Sequence, residues 1–109
     1  MANQKLAAVA LTGQEKFTRL LSGAPQTKGM RSGLVQLSPG QEIGAHSTED
    51  KEEALVILSG KAKIFYGERS SLLAKAPALV YIPSHTAHNV KNSGRVTLRY
   101  VYVVAPVIP

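Results

Sequence analysis

The strongest constraint on this chain is that its apolar residues come in short runs, each ended by Gly, Pro, Ser or Asn before a helix could complete its turns. Within most runs apolar and polar side chains alternate. That period of two belongs to strands whose faces meet different surroundings, and helical periodicity is missing. Candidate strands are 16–21, 30–37, 54–58, 62–66, 71–75, 79–82, 88–90 and 95–104. Turn residues separate them at Ser38-Pro39-Gly40, Ser59-Gly60, Tyr66-Gly67-Glu68, Pro83-Ser84 and Asn92-Ser93-Gly94. Links this short predict antiparallel neighbours and an all-β domain.

Two segments refine the architecture. In Lys61–Tyr66 the apolar Ala62, Ile64 and Tyr66 share one face, leaving Lys61 and Lys63 to water. The run Ala54–Leu58 is apolar on both faces, so it predicts either two packed layers or a barrel wall covered from outside by a second subunit. The first 15 residues carry no strand pattern and are expected to form a loose arm or one that crosses to a partner.

At 109 residues there is room for one domain with one core. The chain lacks Cys, which excludes disulfides, thiolate metal sites and a cysteine nucleophile. No stretch reaches the roughly 20 apolar residues of a membrane-spanning helix. The Leu6–Leu11 run behind Lys5 is shorter than the core of a signal peptide, so a cytoplasmic protein is expected. The net charge of +6 comes from 13 Lys and Arg dispersed along the chain. Dispersal predicts a solvated surface and no nucleic-acid partner.

The acids, in contrast, cluster: Glu49, Asp50, Glu52 and Glu53 follow His46 closely and are four of only seven. His46 and His88 fall at strand ends some forty residues apart, with Glu53 between them in sequence. Two imidazoles and one carboxylate suit a divalent ion such as iron, manganese, zinc or nickel, with positions left open for water or substrate. Alternation puts Glu53 on the face of Leu55 and Ile57, and Glu52 on the opposite face. An inward carboxylate without a cation would be costly or protonated.

The spacing carries a resemblance. Gly40, five intervening residues, His46, Thr48, Glu53 and, after six more, Gly60 resemble the first cupin motif, G-x5-H-x-H-x3,4-E-x6-G. Pro83, His88 and Asn92 match the second, P-x-G-x-x-H-x-x-x-N. Together the motifs span about half the chain. The resemblance implies a double-stranded β-helix, or jelly roll, with one divalent metal on His46, Glu53 and His88. It also implies a homodimer paired through an outer sheet.

Three positions depart from the pattern. Thr48 replaces the second His of the first motif, His85 replaces the Gly of the second, and Pro77 stands where a Gly often precedes the strand leading to Pro83. The turn at 85 is therefore expected to take a different shape, and His85 is a possible additional ligand. Thr48 leaves two outcomes open: a two-His, one-carboxylate metal site, or a barrel that binds metal weakly or not at all. Candidate pocket-lining residues are Thr48, Arg31, Gln36, Tyr81, Arg99 and Tyr100. The functions implied are dioxygenase-, isomerase- or lyase-type chemistry on an oxygen-rich small molecule. The alternative is a non-catalytic module that binds a sugar or small metabolite.

Overall fold

The structure is a computed structural model that describes residues 4–108. Among these, nine strands and no helix are present: β1 (Phe17–Ser22), β2 (Arg31–Leu37), β3 (His46–Ser47), β4 (Lys51–Ser59), β5 (Lys61–Tyr66), β6 (Ser70–Lys75), β7 (Ala78–Ile82), β8 (Ala87–Asn92) and β9 (Leu98–Pro106). They form a five-stranded sheet in the order β1-β2-β9-β4-β7 and a four-stranded sheet in the order β3-β8-β5-β6. Every pairing is antiparallel. The inner faces of the two sheets close on each other as an all-β, double-stranded β-helix.

The core is where alternation puts it. Leu55 and Ile57 on β4, Val35 and Leu37 on β2, Leu98 and Tyr100 on β9, and Ala62, Ile64 and Val90 from the other sheet pack together between the layers. Most are at least 98% buried, and on β4 the intervening Glu52 and Val56 face outward. Burying a Leu, Ile or Val stabilises by about 1.5–3 kcal/mol, so this layer supplies most of the cohesion. Tyr66 shares the inner face of Ala62 and Ile64 but sits at the barrel's end, where it is exposed.

Gly60, between β4 and β5, has φ +85°, and a Cβ there would lie 2.8 Å from the Thr97 carbonyl oxygen and 2.9 Å from the Leu98 Cα. Only Gly fits a turn so close to the start of β9. At the end of β8, Asn92 is buried and its amide locks three segments. Nδ2 donates to the carbonyls of Leu37 and Val96, each at 2.8 Å, and Oδ1 accepts from the Gly94 N–H at 2.9 Å.

Two-residue β3 escapes periodicity because it is too short to show alternation. β4 begins three residues earlier than its apolar run, since Lys51, Glu52 and Glu53 pair with Pro106, Ala105 and Val104 of β9. β9 starts at Leu98, not Arg95.

The N-terminal arm has no strand, yet it is tied to the outer face of the five-stranded sheet. Gln36 Nε2 donates to the carbonyls of Gly13 and Glu15, and Arg99 Nη2 donates to the Leu11 carbonyl. Gln36 and Arg99 therefore do not line the interior. Each lies between two inward residues (Val35 and Leu37, Leu98 and Tyr100) and so points outward, where it anchors the arm.

Candidate metal centre

β3 and β8 place His46 and His88 directly opposite each other in register. Their rings meet edge to face, with centroids 4.3 Å apart and planes at 60°. The carboxylate comes from the other sheet: Glu53 projects inward from β4, and its Oε1 lies 3.2 Å from His88 Nε2. One ligand atom from each of the three falls within 4.8 Å of the other two. Glu53 and His88 are buried, and His46 is exposed.

Each imidazole is oriented by its own backbone. His46 Nδ1 is 2.9 Å from the Gly44 carbonyl oxygen, and His88 Nδ1 is 3.0 Å from that of Thr86. A carbonyl only accepts, so Nδ1 carries a proton in both rings, and in the neutral form Nε2 is the nitrogen left with a lone pair. Second-partner hydrogen bonds of this kind fix the tautomer of metal-ligating histidines. His88 Nε2 is buried without a hydrogen-bond partner, its nearest polar neighbour being the Glu53 carboxylate. Two lone pairs facing each other at that distance repel unless a cation, proton or metal, lies between them. The donor set fits a divalent ion.

The electrostatics agree. Burial opposes protonation of His88, but the Glu53 carboxylate and the Thr86 carbonyl together outweigh it and hold the His88 pKa above the usual imidazole value. Tyr100 is pushed well above the ordinary phenol range by burial first, then by the negative charge on Glu53 and by Tyr102. Burial also raises Tyr102, with Arg19 pulling against it and Glu53 adding to it. Both phenols therefore stay protonated beside the carboxylate.

The three groups open on a cavity of about 390 Å³, lined also by Arg31, Lys51, Tyr100 and Tyr102. Both Arg31 and Tyr100 border it, Tyr100 buried and Arg31 exposed. Tyr102 and Lys51 add to them. Tyr102 shares the inward face of β9 with Tyr100, two residues away, so alternation alone would have found it. It lies against Gly33 on β2, where a Cβ would fall 2.5 Å from its ring.

Thr48 borders this cavity, but its hydroxyl is engaged elsewhere. Oγ1 donates to the Pro83 carbonyl at 2.7 Å and accepts from the Thr86 N–H at 3.0 Å. The position of the motif's second His is thus occupied by a tie between loops. His85 does not join the group: it is exposed, and its N–H donates to the Glu49 carbonyl. Its φ of 54° is left-handed, so the turn keeps the shape a Gly would take there, contrary to the expectation of a different one. Tyr81 lies outside the centre as well. It points outward between inward Val80 and Ile82, is 62% exposed and donates its hydroxyl to Glu52 Oε2 at 2.7 Å. That bond raises the Tyr81 pKa.

A family model described as a cupin domain matches residues 33–104. The chain belongs to the cupin family. Among curated relatives, the oxalate-binding protein of Thermotoga maritima is 27% identical over 93 residues, covering 84% of this chain and 76% of the relative. Among solved structures, a predicted oxalate decarboxylase from the same organism superposes with a TM-score of 0.76 at 24% identity, over 84% of this cupin and 79% of that chain. An RmlC-like cupin with a double-stranded β-helix fold from Methanocaldococcus jannaschii gives 0.74 at 17% identity, over 95% and 94%. These structural likenesses show the fold. None of the described residues forms a helix long and apolar enough to cross a membrane.

Proposed function

We propose that this cupin holds one divalent metal on His46, Glu53 and His88 and uses it to bind a small oxygen-rich anion, a short carboxylate being the best fit. The observation that carries this proposal is the pair of backbone-anchored imidazoles grouped within 4.8 Å of a buried carboxylate, with His88 Nε2 facing that carboxylate and left without a hydrogen-bond partner. When bound, the ion would supply Lewis-acid polarisation of a ligand oxygen. His46, at the exposed side, leaves an entry route. Arg31 is a cation on the cavity lining that no ion pair among the described residues engages, Lys51 beside it being paired with Asp50, and the protonated Tyr100 and Tyr102 hydroxyls are hydrogen-bond donors to an anion on the metal. The oxalate-binding relative from Thermotoga maritima supports a small dicarboxylate as ligand.

Turnover of that ligand, by oxygenation, isomerisation or lyase-type cleavage, is the catalytic form of the proposal. The alternative is a binding module without turnover. It is favoured by the engagement of Thr48, which leaves three ligands where the family motif provides four, and by the relative's name. Iron, manganese, zinc and nickel all suit the donor set. Val56, Leu79 and Tyr81, exposed on the outer face of the five-stranded sheet, support pairing of two copies there.

Elemental analysis of untagged protein tests the metal site. One divalent ion per chain, lost in both His46→Ala and His88→Ala with the fold retained, is the expected result. Full metal content in either variant would refute the ligand set. Oxalate or malonate titrated into metal-loaded protein should bind, and product analysis then separates turnover from binding alone.

A further inference from the structure

At the end of the barrel away from the metal centre, the strand register gathers charges that are scattered in sequence. The outward residues of β5 and β6 put Lys61 directly opposite Lys75, and those of β5 and β8 put Lys63 opposite Lys91. Arg95 follows in the loop between β8 and β9. Five of the chain's 13 Lys and Arg thus occupy one end and one face of the four-stranded sheet. Among the described residues the ion pairs are Lys51 with Asp50 and His88 with Glu53, so none of the five is paired. Glu42, whose backbone forms an isolated β-bridge with Lys91, accepts from Asn89 Nδ2 and makes no ion pair with the lysine.

Like charges placed directly across an antiparallel ladder destabilise it, and water only screens the repulsion. Here they border a concavity of about 470 Å³ lined by Lys61, Lys75, Ser93 and Arg95 with no acidic residue. The loop lies close enough to build it because position 94 is Gly: a Cβ there would stand 3.3 Å from the Lys61 Cβ. Three cations and a hydroxyl around one hollow form a site for a compact, multiply charged anion. A flat lipid surface would not enter the hollow. A nucleic-acid strand would use aromatic stacking, yet the exposed aromatic on this face, Phe65, has the Lys63 ammonium 5.2 Å above its ring.

We propose that this cleft is a second ligand site, separate from the metal centre, which binds a small compound carrying two or more phosphoryl groups, with Lys63 and Lys91 extending the positive surface beside it. Along β5, Ala62, next to the cleft, and Tyr66, opposite His88, are four residues apart, roughly 13 Å of strand. A ligand here therefore touches none of the metal-binding side chains.

The test is titration of the intact metal-free protein with tripolyphosphate, pyrophosphate and orthophosphate, followed by amide chemical shifts. Saturable shifts confined to residues around Lys61, Lys75 and 93–96 are expected, with tripolyphosphate at least tenfold tighter than orthophosphate and weakened by added salt. Lys61→Gln with Lys75→Gln should lower that affinity at least tenfold. Because the double variant removes a repulsive pair of exposed side chains, its melting temperature should hold or rise, which separates lost binding from lost fold. Shifts centred on His46 and His88, binding that survives the double variant, or no saturable shift at millimolar tripolyphosphate would each overturn the proposal. Tighter binding of a short oligothymidylate than of tripolyphosphate would assign the cleft to a nucleic-acid strand and overturn it too.

Discussion

Replacing Thr48 by Val tests whether the fold positions the proposed metal ligands or merely contains them. Thr48 and Thr86 are joined twice: the Thr48 N–H donates to the Thr86 carbonyl at 3.2 Å, and the Thr86 N–H donates to Thr48 Oγ1 at 3.0 Å. The same Thr86 carbonyl faces His88 Nδ1. Val keeps the shape but deletes the hydroxyl, so the Pro83 carbonyl and the Thr86 N–H lose their partner. Each group left unsatisfied costs about 1–3 kcal/mol when buried. Both are partly buried, so the total should be about 2–3 kcal/mol. For a domain of this size that lowers the melting temperature by roughly 10 °C. The loop holding the Thr86 carbonyl is then less fixed, and loss of such outer support weakens metal affinity about 10–100-fold. Thr48→Ser keeps the hydroxyl and should retain both the affinity and the Nδ1-protonated tautomer of His88, read from imidazole nitrogen shifts in the metal-free protein. If Thr48→Val melts lower yet leaves the tautomer and the metal affinity unchanged, Thr48 is only a tie between loops and the positioning role is wrong.

Asn92→Ala removes three hydrogen bonds at a site 1% exposed, so calorimetry should show a loss of about 2–4 kcal/mol, while metal affinity of the folded fraction changes little. A loss below 1 kcal/mol would show that water replaces the amide. His85→Gly should raise stability by about 0.5–1 kcal/mol in denaturant titration, because Gly occupies the left-handed conformation without the Cβ penalty and gives back only part of the gain as unfolded-state entropy; an unchanged or lower midpoint would contradict this. The raised pKa of His88 sets two pH trends of opposite sense. In the metal-free protein, the stability from a protonated His88 beside Glu53 is fully present below the unfolded imidazole value near 6.5 and is lost as pH rises through the higher folded value. Metal needs the neutral ring, so affinity measured by competition should increase over that same rise. Metal affinity independent of pH between 6 and 8 would exclude His88 as a ligand.

The strands and the grouping of His46, Glu53 and His88 were legible in the sequence because both are local signals: period-two alternation, turn residues and motif spacing. Alternation also contained the answer for three residues assigned to the pocket. Gln36, Arg99 and Tyr81 each sit between two inward apolar neighbours, so each must point out, whereas Arg31 shares parity with inward Val35 and Leu37. What could not be read is non-local. Nothing near Thr48 in sequence says that its hydroxyl meets residues 83 and 86, and nothing near Lys61 says that Lys75 stands opposite. The left-handed turn at His85 was hidden for another reason, since the residue type gives no sign of a conformation that Gly usually supplies.

Both proposed sites depend on the pairing of β5 with β8, and the residues on the two faces of these strands protect that register. In the observed alignment His88, Val90 and Asn92 point inward, and Asn89 and Lys91 outward. A slip of one residue would reverse β8, exposing Val90 and driving Lys91 into an apolar layer where an unpaired ammonium is costly. It would also strand the Asn92 amide away from the carbonyls of Leu37 and Val96, which lie on other segments and cannot follow. The inward polar residue holds the register through bonds made nowhere else, and the outward lysines hold it because the alternative would bury them. The proposed metal ligands and the lysines beside the proposed anion cleft are thus opposite faces of one constraint: the alignment that points His88 at Glu53 is the one that sets Lys91 beside Lys63 on the surface.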